Sequence, residues 1–306
     1  MRMHPLVGGV RLPLPIKIGA GVCKTPDATM KWLQVAPTVS GSYTMKFRTG
    51  NEGARLSWPD DLETFLREGV MYNWWGMPNI GVIKMLRLFR TLLQPGQTLI
   101  ISIAAFKVRD YIRAIKVIAA AGIAVAIEIN IGCQNTEHGK PLSFDVHGLK
   151  RLLQALSGLP ELGIPLWLKV SPYVDDTSFL LPEVVKLLNQ YRERIAAVVT
   201  CNTFWTFAGN DKISSPDGYA SMSGSALKAV SLQQLDRFRA GLHASIDVIS
   251  VGGITTGSDI VDRFARGAAA VQLVSLPSLL RPDQFWDSLM ADGVLEPYLR
   301  NEGYIE

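Results

Sequence analysis

The sequence predicts an α/β fold closed as a (β/α)8 barrel, a TIM barrel, on three observations. Eight short β-rich apolar runs alternate with amphipathic helical patterns along the whole chain, the signature of a parallel sheet with crossover helices. A length of 306 residues suits a closed barrel better than an open doubly wound sheet. No Pro/Ser-rich linker, composition shift or repeat of about 20–50 residues divides the chain. Residues 1–306 are therefore expected to form one domain with decorated loops.

The strands are expected at 16–20, 35–38, 98–103, 124–131, 166–170, 196–200, 246–251 and 269–274. Between them, 79–93 carries Ile80, Val82, Ile83, Leu86, Leu88 and Leu92 among basic residues, and 108–121 and 146–156 follow the same pattern. The stretch 231–243 places Leu232, Leu235, Phe238 and Leu242 at spacings of three and four, with Ser231 as N-cap. The stretch 257–267 opens with Ser258 and Asp259 and closes on Gly267, suited to a C-cap. Residues 40–53 read as an excursion after the second strand, and 203–225 as a long polar connection after the sixth. Loops of that length on a barrel usually serve the mouth.

Composition excludes several classes. With 48% hydrophobic and 19% charged residues, the chain can bury a core without disulfides. Cys23, Cys133 and Cys201 are too few and too scattered for a disulfide framework or a Cys-x-x-Cys metal site, so a reducing cytoplasm is the expected compartment. The net charge of +4 comes with no basic, aromatic-interleaved tract, which argues against nucleic acid as a partner. The N-terminus lacks an apolar signal region, and the longest apolar run, 117–127, is too short to span a bilayer. His4, His138, His147 and His243 lack metal spacing, so no metal site is expected, and Glu137 and His138 read as solvated.

The fourth strand candidate ends in a polar tip: Asn130, Cys133 and Asn135. Carboxyl ends of barrel strands are where ligands meet catalytic side chains. An amide offers donor and acceptor side by side, which suits a ring carrying C=O and N–H groups. The thiol can act as base or nucleophile if its pKa is lowered, the alternative being a buried, unreactive cysteine. Asn73, Gly76 and Asn202–Thr203 add amides, a hydroxyl and backbone N–H groups at the same face. Asn73, Asn130, Asn135 and Asn202 are thus expected to converge on Cys133. Trp74 and Trp75 read as lid or core packing.

After the seventh strand, Gly252 and Gly253 open a helix, and Ser275 follows the eighth. Barrels often bind phosphate there, on backbone N–H groups exposed by small residues. Ser223 and Gly224 could close the cradle; ordinary turn glycines are the alternative. Lys169 lies inside an apolar strand, where a lysine is rarely buried unpaired. It either stabilises negative charge on a reduced isoalloxazine ring or forms a structural ion pair with Glu128.

Together these residues make the chain resemble the dihydroorotate dehydrogenases, particularly the cytosolic class with a cysteine base. Glu128-Ile-Asn-Ile-Gly-Cys-Gln-Asn135 is similar to the family's Glu-Leu-Asn-Leu-Ser-Cys-Pro-Asn, the most specific match. Ile18-Gly-Ala-Gly-Val22 resembles its first-strand flavin segment, and Asn73-Trp-Trp-Gly-Met-Pro-Asn79 its Asn-Ser-Met-Gly-Leu-Pro-Asn loop. Pro165-Leu-Trp-Leu-Lys169-Val-Ser-Pro-Tyr173 resembles Pro-Leu-x-Val-Lys-Leu-Pro-Pro-Tyr. Asn202-Thr203 matches Asn-Ser, and Val251-Gly-Gly-Ile-Thr-Thr-Gly257 matches Thr-Gly-Gly-Ile-x-x-Gly.

The resemblance implies FMN held by Ala20, Gly21, Ser102, Asn130, Lys169, Ser223, Gly224, Gly252, Gly253 and Ser275. It implies a cyclic-amide substrate, dihydroorotate or a relative, held by Asn73, Gly76, Met77, Asn130, Asn135, Asn202 and Thr203. Cys133 would take a proton while a hydride leaves the neighbouring carbon. A free thiol near pKa ~8.5 is a weak base at neutral pH, so the thiolate needs local help or turnover rises with pH. The electron acceptor stays open, fumarate among the candidates, and the resembled class implies a homodimer. Another dihydropyrimidine or a secondary metabolite is the alternative substrate, and a non-redox phosphate-ligand barrel the alternative class.

Four positions depart from the resembled pattern. Gly41 stands at the family's flavin-proximal lysine, Gln134 at a proline, Val274 at a phosphate-loop glycine and Trp75 at a methionine. Weak orotate binding and poor discrimination from uracil are the expectation, unless Lys24, Lys46 or Arg48 reaches in.

Overall fold

The computed structural model describes residues 4–57, 59, 61–134, 141–209 and 213–306. Eight parallel strands close into a barrel: Ile16–Cys23, Thr38–Tyr43, Leu99–Ile103, Ala126–Asn130, Leu166–Lys169, Ala197–Val199, Asp247–Val251 and Ala270–Leu273. Each pairs with its sequence neighbours, and the eighth closes onto the first through Gln272 and Lys17. The TIM-barrel expectation holds.

Interior side chains alternate with outward ones, as the two-residue period of a strand requires. Val39, Ile100, Ala126, Trp167, Val199, Ile249 and Ala270 fill the lower barrel. An N-terminal hairpin, Leu6–Val7 against Val10–Arg11, plugs that end. Gly8 O accepts from Trp167 Nε1 at 2.9 Å, and Gly8 N donates to Asp247 at 2.7 Å. The barrel's outer face packs on helices Val82–Leu92, Val108–Ala121, Val146–Ser157 and Leu181–Gln190 through a continuous apolar cluster.

Several boundaries differ from expectation, three of them for a visible reason. The second strand runs Thr38–Tyr43, not 35–38. Val35 and Ala36 instead donate to Trp32 O, finishing the turn after helix Pro26–Leu33. The helix expected at 231–243 is Lys228–Gly241, so Ser231 lies inside it and is not its N-cap. Its hydroxyl donates to Lys228 O and Gly252 O. The helix expected at 257–267 is Gly257–Ala265, capped by Thr256 and Asp259 in a reciprocal box.

The two long insertions build a sheet over the carboxyl end of the barrel. Phe204–Phe207, Tyr219–Ser223, Met71–Asn73 and Leu56–Ser57 pair antiparallel in that order. Trp205 packs between Trp74 at 5.7 Å and Tyr219 at 6.2 Å. The connection expected at 203–225 is thus largely a hairpin, and Asn73 is a sheet residue.

Candidate active site

The fourth barrel strand ends at Asn130, and its amide is the hub of the mouth. Asn130 Oδ1 accepts from Asn202 Nδ2 at 3.0 Å and from Gly132 N at 3.1 Å. Its Nδ2 donates to Ser42 Oγ at 3.0 Å, and Ser42 Oγ meets Ser102 Oγ at 2.8 Å. Asn202 Oδ1 in turn accepts from Thr203 N at 2.9 Å. These bonds lock four strand ends together, because each amide oxygen and nitrogen of Asn130 and Asn202 has a partner that fixes its direction.

Gly132 carries Cys133 into this frame. A Cβ at Gly132 would lie 2.8 Å from Ser171 N, so only glycine lets the chain pass the end of the fifth strand. Ser171 Oγ donates to Gly132 O at 3.2 Å, and Tyr111 OH donates to Asn130 O at 2.8 Å. Cys133 is half-buried and lines the cavity, whereas Cys23 and Cys201 are buried. Burial pushes both of those thiols up to about 12. Of the three thiols, Cys133 is the one that is not buried and lines the main cavity.

The cavity holds about 470 Å³, within the usual range for small-molecule sites. Among its described lining residues are Asn73, Met77, Asn130, Cys133, Asn202 and Thr203, the cations Lys24 and Lys169, and no acidic group. Such a lining favours an anionic or electron-rich ligand. Met77 adopts φ +57°, an uncommon conformation for a side chain of its size. Asn79 holds this loop, accepting from Thr44 N and Gly81 N and donating to Met77 O at 2.9 Å.

Lys169 joins this cavity to a smaller one of about 60 Å³, lined by Ser223, Gly224, Gly252, Gly253 and Ser275. Gly224, Gly252 and Gly253 have φ of +99°, +105° and +69°, and backbone bends of this kind make anion-binding concavities. A Cβ at Gly253 would lie 2.5 Å from the Lys228 backbone, and one at Gly224 even nearer the Gly69 carbonyl. Arg263 is fully buried beneath the cradle, donating to Gly252 O at 2.5 Å and Ser231 Oγ at 2.9 Å. A phosphate-ended cofactor with a flat polar ring fits this pair of chambers.

Below the mouth lies a buried charged layer, in which Lys17 and Gln272 carry no signal in the sequence. Lys17, Glu128 and Gln272 are fully buried inside the barrel. Glu128 Oε2 accepts from Gln272 Nε2 at 2.7 Å, and Lys17 Nζ sits 4.2 Å from the Trp167 ring centroid. Burial lowers Lys17 to about 7, with Glu128 opposing and Lys169 adding to the shift. Lys169 forms no ion pair with Glu128; it reaches both cavities instead.

Of the expected site residues, Ala20, Gly21, Asn73, Met77, Asn130, Cys133, Lys169, Asn202, Thr203, Ser223 and Ser275 line the main cavity. Gly224, Gly252 and Gly253 line the smaller one. Ser102 and Gly76 do not line either: Ser102 is buried behind Ser42, and Gly76 O accepts from Arg48 at 3.3 Å. Asn135, with Glu137 and His138, lies outside the described residues. Trp74 packs on the covering sheet, whereas Trp75 faces the cavity. Ser42 was missed because a serine after a glycine in a strand carries no sequence signal of its own.

A profile described as dihydroorotate dehydrogenase matches residues 4–283. The chain is 28% identical over 278 residues to a dihydroorotate dehydrogenase (quinone) from Erythrobacter litoralis, covering 88% of this chain and 77% of the relative. It is 29% identical over 258 residues to the catalytic subunit of a dihydroorotate dehydrogenase B (NAD(+)) from Endomicrobium trichonymphae, covering 80% and 74%. It is 25% identical over 260 residues to a dihydroorotate dehydrogenase A (fumarate) from Lactobacillus helveticus, covering 82% and 78%.

Proposed function

The chain belongs to the dihydroorotate dehydrogenase family, and on that premise we propose that it oxidises dihydroorotate to orotate with FMN as its bound cofactor. The observation that carries the proposal is one thiol, Cys133, standing in a cavity with the Asn73, Asn130 and Asn202 amides and continuous with the Gly252–Gly253 cradle. Ser223, Gly224, Gly252, Gly253 and Ser275 would hold the cofactor phosphate. Ala20, Gly21 and Lys169 would lie along its ring.

When bound, FMN supplies the acceptor for the hydride that leaves one carbon of the substrate CH–CH bond. Cys133 Sγ takes the proton from the adjacent carbon, so that one C–H pair becomes the second bond of the C=C and the other leaves with the hydride. Asn73, Asn202 and Thr203 orient the ring by offering donors and acceptors to its adjacent C=O and N–H groups. Asn130 acts mainly by holding Gly132, and hence Cys133, in place. The sheet over the mouth limits water access.

The proposal extends to a cytoplasmic homodimer of one-domain protomers. Three cysteines outside any disulfide suit a reducing compartment, and exposed Phe207 and Tyr219 give the covering sheet an apolar outer face. No helix of the described residues is long and apolar enough to cross a membrane. The relatives' names carry three acceptors, quinone, NAD and fumarate, so all three belong in the assay. Heat release of the cofactor with identification by mass, and turnover of dihydroorotate with each acceptor, test the proposal. Release of FAD, or no flavin after reconstitution with FMN, contradicts it.

A further inference from the structure

Lys24 follows the first barrel strand and precedes Thr25, the N-cap of helix Pro26–Leu33. That strand shifts register against its neighbour between Ile18 and Cys23, and Lys24 lines the main cavity beside Gly41, Trp75, Asn73 and Met77. Its Nζ lies 3.1 Å from the Trp75 ring centroid. No carboxylate pairs with it among the described residues, and the charged neighbour that acts on it, Arg55, has the same sign. Burial, with Arg55 adding to it, lowers its pKa to about 7.

An ammonium in that setting is stabilised by the ring face but lacks a counter-charge. An anion entering the cavity would supply it. Among the described residues that line this end of the cavity, no other is a cation. Gly41 cannot supply one, because a Cβ there would lie 2.5 Å from Ser102 O. Lys46 is exposed and does not line the cavity. Arg48 is turned away, with its guanidinium on Gly76 O and 5.0 Å from the Phe106 ring centroid. Lys169 stands at the other side, where the main cavity meets the Gly252–Gly253 cradle.

Resting on the proposed function, we propose that Lys24, held against Trp75, is the specificity-determining cation that binds the carboxylate of the substrate. Trp75 sets the ammonium's position, and the neighbouring Asn73 and Met77 place the ring that carries the carboxylate. The site would then prefer cyclic amides bearing a carboxylate over the same ring without one.

The test uses the flavin-loaded protein, titrated with orotate and with uracil and read by the flavin absorbance change, in wild type, Lys24→Met and Lys24→Arg. Lys24→Met should weaken orotate by roughly 10- to 100-fold and leave uracil and flavin content unchanged. Lys24→Arg should recover part of the loss. Equal orotate affinity in wild type and Lys24→Met overturns the role of Lys24 alone. Equal weakening of both ligands makes the residue structural, and loss of flavin from Lys24→Met assigns its anion to the cofactor phosphate; both overturn the proposal. A wild-type protein that binds neither ligand overturns the proposed function as well.

Discussion

Asn202 Nδ2 donates to Asn130 Oδ1 at 3.0 Å, tying the end of the sixth barrel strand to the end of the fourth. The same oxygen accepts from Gly132 N, so one amide sets both the neighbouring asparagine and the residue before Cys133. Ring recognition and thiol placement are therefore coupled through a single side chain that is 8% exposed.

Asn130→Ala should reduce stability by about 1–3 kcal/mol, the cost of leaving buried polar partners unpaired. Urea unfolding measures it. The same variant should lower the rate of substrate oxidation even at saturating substrate, since Gly132 loses its anchor. A variant as stable and as fast as wild type would show that the hub is dispensable.

Gly41→Lys should not restore the family's flavin-proximal lysine. Position 41 has φ +123°, and its Cβ would approach Ser102 O to 2.5 Å. The substitution is expected to destabilise the protein by at least about 1–3 kcal/mol and to leave orotate affinity no higher than in wild type. A stable variant with tighter orotate binding would show that the backbone adjusts there.

Much of this was legible in the sequence, for identifiable reasons. Seven strands announce themselves as apolar runs between helical patterns, and the match around Cys133 marks the fourth strand end. The second strand does not, because Thr38–Tyr43 is small and largely polar; the apolar Val35–Ala36 pair lies in the turn before it. Asn73, Asn130 and Asn202 each end or follow a strand in the sequence and line the main cavity, but the hydrogen bond between Asn130 and Asn202 depends on barrel closure, which no local pattern encodes. Lys24 and Trp75 are 51 positions apart, and their contact depends on a register shift and a loop conformation. Lys17 sits between Ile16 and Ile18, and only the closed barrel turns it inward toward Glu128.

Orotate affinity should fall as pH rises through about 7. Burial, with the like charge of Arg55, lowers Lys24 in the empty site to about 7, so above that pH the ammonium loses its proton and its attraction for a carboxylate. Uracil binding should stay level over the same window. Titrations at about pH 6 and pH 8 decide this, and parallel curves for the two ligands would contradict it.

Lys17 predicts a different pH dependence, on stability. Its pKa falls from 10.5 in the unfolded chain to about 7 inside the barrel, so between those values the unfolded state binds more protons. Its penalty is therefore full below about 7 and is relieved as pH rises toward 10.5. The unfolding free energy of wild type relative to Lys17→Met should shift in favour of wild type by up to about 1.4 kcal/mol per pH unit above neutrality. Urea unfolding at about pH 7 and pH 9 measures it; a constant difference would mean that Lys17 stays charged throughout.

The proposed role of Cys133 is proton transfer during oxidation of dihydroorotate. Its most direct test is anaerobic mixing of the flavin-loaded protein with dihydroorotate, following loss of flavin absorbance in one turnover. Wild type should bleach, and Cys133→Ala should retain its flavin but bleach slower by about 100-fold or more. Bleaching of Cys133→Ala at the wild-type rate, or none in wild type, would contradict that role.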